Sequence, residues 1–139
     1  MNREPLWWSG YDTANPTFQH IRALIALRKK YAPLRRGDLT VRWSTDHVAD
    51  EQDAGIFAFE RSAEGKTLLV VVNSRDAAAE TSTALAGGDD MATSFAPGTV
   101  LVDVFGGVDP VTVAADGTVR VAVPARGGKV LVPQGDVLP

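Results

Sequence analysis

Near the start of the chain stand Arg3, Trp7 and Trp8, residue types that commonly meet ligands. A guanidinium pairs with a carboxylate, and flat indole faces, joined here by Tyr11, suit the C–H surface of a sugar ring. The same aromatics can instead pack a loop against its neighbours, the commoner use of buried ring area. His20 has no second histidine, cysteine or carboxylate at ligand spacing, so it reads as a structural histidine rather than a metal ligand or base. Residues 46–55 concentrate carboxylates (Asp46, Asp50, Glu51 and Asp53) beside His47. Hard cations such as calcium take oxygen ligands, but this segment lacks the alternating aspartates, central glycine and distal glutamate of a calcium loop. It is expected to be an acidic, solvated connection. Asn73 is expected to bond backbone at a turn. Asp103 alternates with Leu101 and Phe105, which leaves its face open. Gly127 and Gly128 read as turn glycines, because no helix follows them to cradle a phosphate. No catalytic residue, metal ligand or cofactor site emerges.

Two kinds of element must position these residues. Residues 16–31 carry a helical pattern: Asn15 suits the cap, Pro16 the first position, Lys29 and Lys30 the last turn, and Pro33 follows. Phe18, Ile21, Leu24, Ile25, Leu27 and Tyr31 cover roughly half of its circumference. That arc is wider than a helix on a solvated surface requires, so the helix calls for a large apolar partner. Beyond residue 38 the pattern is of strands and turns. Residues 39–43, 56–61, 67–73, 80–85, 100–105, 111–114, 118–123 and 129–132 are expected strands. Residues 62–65 should turn the second into the third, and residues 115–117 should join 111–114 to 118–123. Residues 68–72 are apolar on both faces, as in a central strand covered on both sides. Short strands with regular turn punctuation predict an antiparallel β-sandwich preceded by one long amphipathic helix.

Composition excludes several classes. The chain has 139 residues, a formal net charge of −3 and no cysteine, with a pI near 5.3. Nucleic-acid binding needs a basic footprint, and an anionic membrane surface needs a basic amphipathic helix. Neither partner is expected. Without cysteine there are no disulfides and no thiolate metal sites. No apolar run approaches membrane-spanning length.

The ordered pieces resemble the C-terminal part of the alpha-amylase superfamily, glycoside hydrolase family 13. The resemblance rests on Asn2, Arg3, Pro5 and Trp8, and on the helix His20-Ile21-Arg22-Ala23-Leu24-Ile25-Ala26-Leu27-Arg28-Lys29-Lys30-Tyr31. It continues through Leu34-Arg35-Arg36-Gly37, the strand Ile56-Phe57-Ala58-Phe59-Glu60-Arg61 and the strand Val70-Val71-Val72-Asn73. It implies that residues 1–37 are the loop and last helix of a (β/α)8 barrel and that residues 38–136 are the all-β domain C. It also implies that the nucleophile and acid/base carboxylates of a retaining mechanism, about 5 Å apart, lie on earlier barrel strands. The catalytic barrel is then the missing partner, and the chain alone is expected to hydrolyse nothing. Arg3, Trp7 and Trp8 would lie near the alpha-glucan in the parent enzyme. Two rivals remain: a starch- or maltooligosaccharide-binding module, and a domain that self-associates through its exposed helix face.

Overall fold

A computed structural model describes residue 8, residues 10–107 and residues 109–139. Helix α1 (Pro16–Lys30) begins where Asn15 accepts the Thr17 amide at 2.9 Å. It ends in a basic last turn, Arg28, Lys29 and Lys30, whose charges suit the helix carboxyl end. The Arg35 guanidinium reaches back to the Arg28 carbonyl at 3.0 Å, satisfying a terminal acceptor. A short 3-10 turn (Ala32–Leu34) containing Pro33 then redirects the chain into the sheet.

The remaining strands are β1 (Asp38–Ser44), β2 (Ile56–Ala63), β3 (Lys66–Asn73), β4 (Ala79–Glu80), β5 (Met91–Ala92), β6 (Val100–Asp103), β7 (Val111–Thr112), β8 (Thr118–Val119), β9 (Ala122–Val123) and β10 (Gly128–Pro133). Six of them form one antiparallel sheet in the order β1-β2-β3-β10-β6-β7. The β2–β3 hairpin turns on Glu64 and Gly65, both with positive φ (55° and 70°). That backbone matches the strands' right-handed twist, so the turn is tighter than the four residues 62–65.

The opposing layer is irregular. The pairs β4–β9 and β5–β8 are two residues each, joined by a bridge between Ser82 and Asp90. The fully buried Thr81 ties them together. Its amide donates to the Val121 carbonyl, its hydroxyl to the Val119 carbonyl, and that hydroxyl accepts the Val121 amide at 3.0 Å. A side chain thus replaces part of the ladder, and the expected strand over residues 118–123 is divided into β8 and β9. The expected strand over residues 80–85 is likewise corrected: β4 ends at Glu80 and residues 84–86 form a 3-10 turn. β5 was not anticipated.

The antiparallel sandwich is as expected, although β6 stops at Asp103 where the expected strand ran to residue 105, and β7 stops at Thr112 where it ran to residue 114. Alternation along β3 sends Leu69 and Val71 into the space between the layers, where Ile56, Leu101, Met91, Val121 and Leu131 join them. Leu68 and Val70 point to the opposite face and meet Leu27, Tyr31, Leu34, Val130 and Val132. β3 is therefore covered on both sides, as its uninterrupted apolar run requires. A β-bulge between Val41 and Trp43 changes the face of β1. Val41 lies opposite Phe59, while Trp43 lies opposite the core residue Ala58. Arg42 lies beside the interior carboxylate Glu60, only 2% exposed, which it meets at 2.7 Å. The Ser94 amide and hydroxyl complete that carboxylate's partners at 2.9 and 2.6 Å.

Candidate functional site

Helix α1 presents its apolar arc in two portions. At about 100° per residue, His20, Leu27 and Tyr31 share one edge of the arc, and Phe18, Ile21 and Ile25 share the other. The first edge sits on the sheet. Leu27 and Tyr31 are buried, the His20 ring packs edge-on against Phe105 with centroids 5.3 Å apart, and the Tyr31 hydroxyl accepts the Leu138 amide at 3.2 Å. The second edge is open, with Phe18 45% exposed, Ile21 51% and Ile25 49%, and Leu24 between the two edges is 41% exposed. The same side of the sheet carries further exposed apolar residues, Leu39 and Val41 on β1, Phe57 on β2 and Val72 on β3. From Pro16 to Arg36 the chain has six basic residues and no acidic one. The charged neighbours of the open edge, Arg22, Arg28 and Lys29, are therefore all cations. Exposed apolar strips of this kind are characteristic of interaction surfaces.

A second cluster lies at the end of the sandwich, in the connection between β1 and β2. Asp53 is 1% exposed. One carboxylate oxygen accepts the Trp43 indole N–H at 2.9 Å, and the other faces His47 Nδ1 at 2.8 Å. The hydrogen bond to Asp53 raises the His47 pKa and outweighs partial desolvation, with Glu51 and Asp46 adding to the rise. Burial pushes the Asp53 carboxyl up, but the bonds from His47 and Trp43 prevail and hold it below its ordinary value. Residues 46–51 are exposed, as expected of an acidic, solvated connection, but the expectation fails at Asp53, which is an interior anchor. The bulge in β1 hid this from the sequence, because simple alternation places Trp43 on the same face as Leu39 and Val41. Among the described residues no group of three or more histidine, cysteine or carboxylate side chains is arranged to hold a metal ion.

Other singled-out residues have structural partners. The Asn73 amide donates to the carbonyls of Ala77, Val123 and Pro124, and its oxygen accepts the Arg75 amide, which stitches β3 to the opposing layer. Asp103 is buried and accepts the amides of Phe105 and Val130. Gly127 closes a turn onto the Pro124 carbonyl, whereas Gly128 is already the first residue of β10. Trp8 is 80% exposed and Tyr11 64%. Arg3 and Trp7 lie outside the described residues, so their placement beside Trp8 stands as an expectation from sequence. Among the described residues no helix is long and apolar enough to cross a membrane.

Comparison with known proteins identifies the family. Residues 47–130 match the family model described as "Maltogenic Amylase, C-terminal domain". An alpha-amylase of Streptomyces lividans is 34% identical over 127 residues, which is 91% of this chain and 12% of that protein. A cyclomaltodextrinase of Geobacillus thermopakistaniensis (strain MAS1) is 27% identical over 78 residues, 56% of this chain and again 12% of that protein. The chain thus spans about an eighth of the length of these curated relatives. The solved structure of an alpha-amylase from Malbranchea cinnamomea superposes with a TM-score of 0.65 at 21% identity, over 96% of this chain and 26% of that one; that likeness establishes the fold. The chain belongs to the maltogenic-amylase C-terminal domain family, the C-terminal domain of alpha-amylase-type enzymes of glycoside hydrolase family 13.

Proposed function

We propose that this chain is a non-catalytic C-terminal structural region of an amylase-type glycoside hydrolase acting on alpha-glucans. Residues 1–37 supply the last loop and helix of its (β/α)8 barrel, and residues 38–136 form domain C. The task of the sandwich is structural: it seats the helix and shields apolar surface of the barrel. The observation that carries this reading is the divided arc of α1. Leu27 and Tyr31 fix the helix to the sheet, while Phe18, Ile21 and Ile25 remain open for a second body. The family match at residues 47–130 falls inside the proposed domain C. The relatives' names, alpha-amylase and cyclomaltodextrinase, support an alpha-glucan as the parent's substrate. Arg3, Trp7 and Trp8 are the residues we assign to the neighbourhood of that glucan.

Self-association through the same helix face is disfavoured by charge. A two-fold helix-on-helix contact would bring Arg22, Arg28 and Lys29 against their own copies without a carboxylate on the helix to offset them. A starch-binding role has little aromatic support in the sandwich, where Trp43 is the sole tryptophan and its indole N–H is committed to Asp53. The test uses the 139-residue chain with soluble starch, immobilised amylose, an apolar dye and light scattering. We expect no hydrolysis, no retention and dye binding that falls sharply in the Ile21→Asp/Ile25→Asp variant. Measurable hydrolysis overturns the non-catalytic reading, retention on amylose favours the binding module, and a stable dimer lost in that variant favours self-association.

A further inference from the structure

The connection between β1 and β2 is held by more contacts than a solvated loop needs. The Arg75 guanidinium bonds the Glu51 carbonyl at 2.9 Å, the Glu80 amide bonds the Gln52 carbonyl at 3.0 Å, and the Gln52 side chain meets Glu80 and the Leu85 amide. Gly55 closes the segment with φ of 77°, where a Cβ would meet the Arg75 side chain at 2.7 Å. Within the segment, Ala49 has φ of 56°. For a residue with a Cβ that left-handed backbone is unfavourable, so the surrounding bonds hold Ala49 in a conformation it would not choose alone. The bond most open to change is the one between His47 and Asp53, since the imidazole is 44% exposed while its partner carboxylate is buried.

We propose that Trp43, Asp53 and His47 form a proton-dependent latch, which fastens the β1–β2 connection to the end of the sandwich when His47 is charged and loosens it when His47 is neutral. Charged His47 gives Asp53 an ion pair as well as a hydrogen bond. Loss of the proton leaves a neutral donor on a buried carboxylate, which then depends on the Trp43 indole for its remaining support. The acidic groups facing His47 reinforce the charged state. Asp53 lies at 2.8 Å and Glu51 at 3.5 Å, Asp46 adds its field, and Asp50 and Asp89 line the adjoining recesses. The cation lining them beside His47, Arg42, is already paired with Glu60. The latch also shapes an open recess of about 340 Å³ between this connection and the 3-10 turn at residues 84–86, so its state sets one wall of that recess.

The sign follows from the folded value lying above the ordinary one. Fastening is complete below about pH 6.5 and is lost as pH rises through the higher value of His47 in the closed loop. The test is hydrogen exchange of the Trp43 indole N–H, followed by NMR in the 139-residue chain with each rate divided by the intrinsic rate at that pH. Protection should fall as pH rises above about 6.5, by about tenfold for each unit separating the closed and open values of His47. In His47→Asn, which keeps a neutral donor, protection should be independent of pH over that range. Flat protection in the unaltered chain, or an unchanged slope in the variant, overturns the latch. Should the variant not fold, the imidazole resonances of His47 decide in the unaltered chain, with His20→Gln for assignment. A midpoint above 6.5 that coincides with the loss of protection supports the latch, and one at or below 6.5 overturns it.

Discussion

Leu69 and Val71 on β3 are fully buried between the two layers, whereas Val72 on the same strand is 39% exposed on the other face. Across the sheet the contrast repeats. Leu101, Leu131, Val121 and Met91 are wholly enclosed on the sandwich side, while Leu39, Val41 and Phe57 on the helix side are left open. The residue types are alike, so composition alone does not distinguish the faces. What distinguishes them is the covering layer. The sandwich side is closed along the sheet by residues 79–92 and 113–123. The helix side is closed by the end of α1 and the turn after it, over β3 and β10. The sandwich side is finished within this chain, and the helix side keeps the open residues that the proposed barrel would cover.

Four experiments would break or sharpen that contrast. Leu131→Ala should have the largest effect, costing about 3–4 kcal/mol in urea unfolding, because its neighbours on the sandwich side are held from two layers. Asn73→Ala should come next, at about 2–3 kcal/mol, since it strands three carbonyls and one amide at the join between layers. Leu27→Ala should cost less, about 2 kcal/mol, the low end for a buried leucine, and calorimetry should show the helix loosening before the sandwich. A loss as large as that of Leu131→Ala would mean that the two faces are equally finished. Ile25→Asp should lie within about 0.5 kcal/mol of the unaltered chain, measured in the same urea series. A larger loss would mean that the open edge of α1 is already engaged within this chain.

The residues that were legible in the sequence share a physical reason. The helix has a cap, a period and a stop, and the β2–β3 hairpin has a turn chemistry and a two-faced apolar strand. The Leu34 to Gly37 segment and the strand ending at Asn73 carried the family resemblance that the comparisons bear out. The second layer was less legible because its paired segments are two residues long and Thr81 supplies bonds that a ladder would normally supply. A two-residue strand has no period to detect. The Trp43–Asp53–His47 chain was hidden for a different reason: one bulge reversed the alternation from which the face of Trp43 would be read. Of the residues assigned near a sugar, Arg3 and Trp7 lie outside the described residues, and Trp8 alone is seen, on the surface.

The bulge in β1 has a consequence for how these molecules behave in a crowd. β1 is the outermost strand of the six, with seven residues and one row of backbone amides and carbonyls turned away from β2. A straight edge of that length offers a template on which another chain can add a strand, and repeated addition leads to fibres. The break in register between Val41 and Trp43 interrupts that template near its middle, so an incoming strand finds no unbroken run to copy. The irregularity that turns an indole inward thereby also works against edge-to-edge pairing along β1.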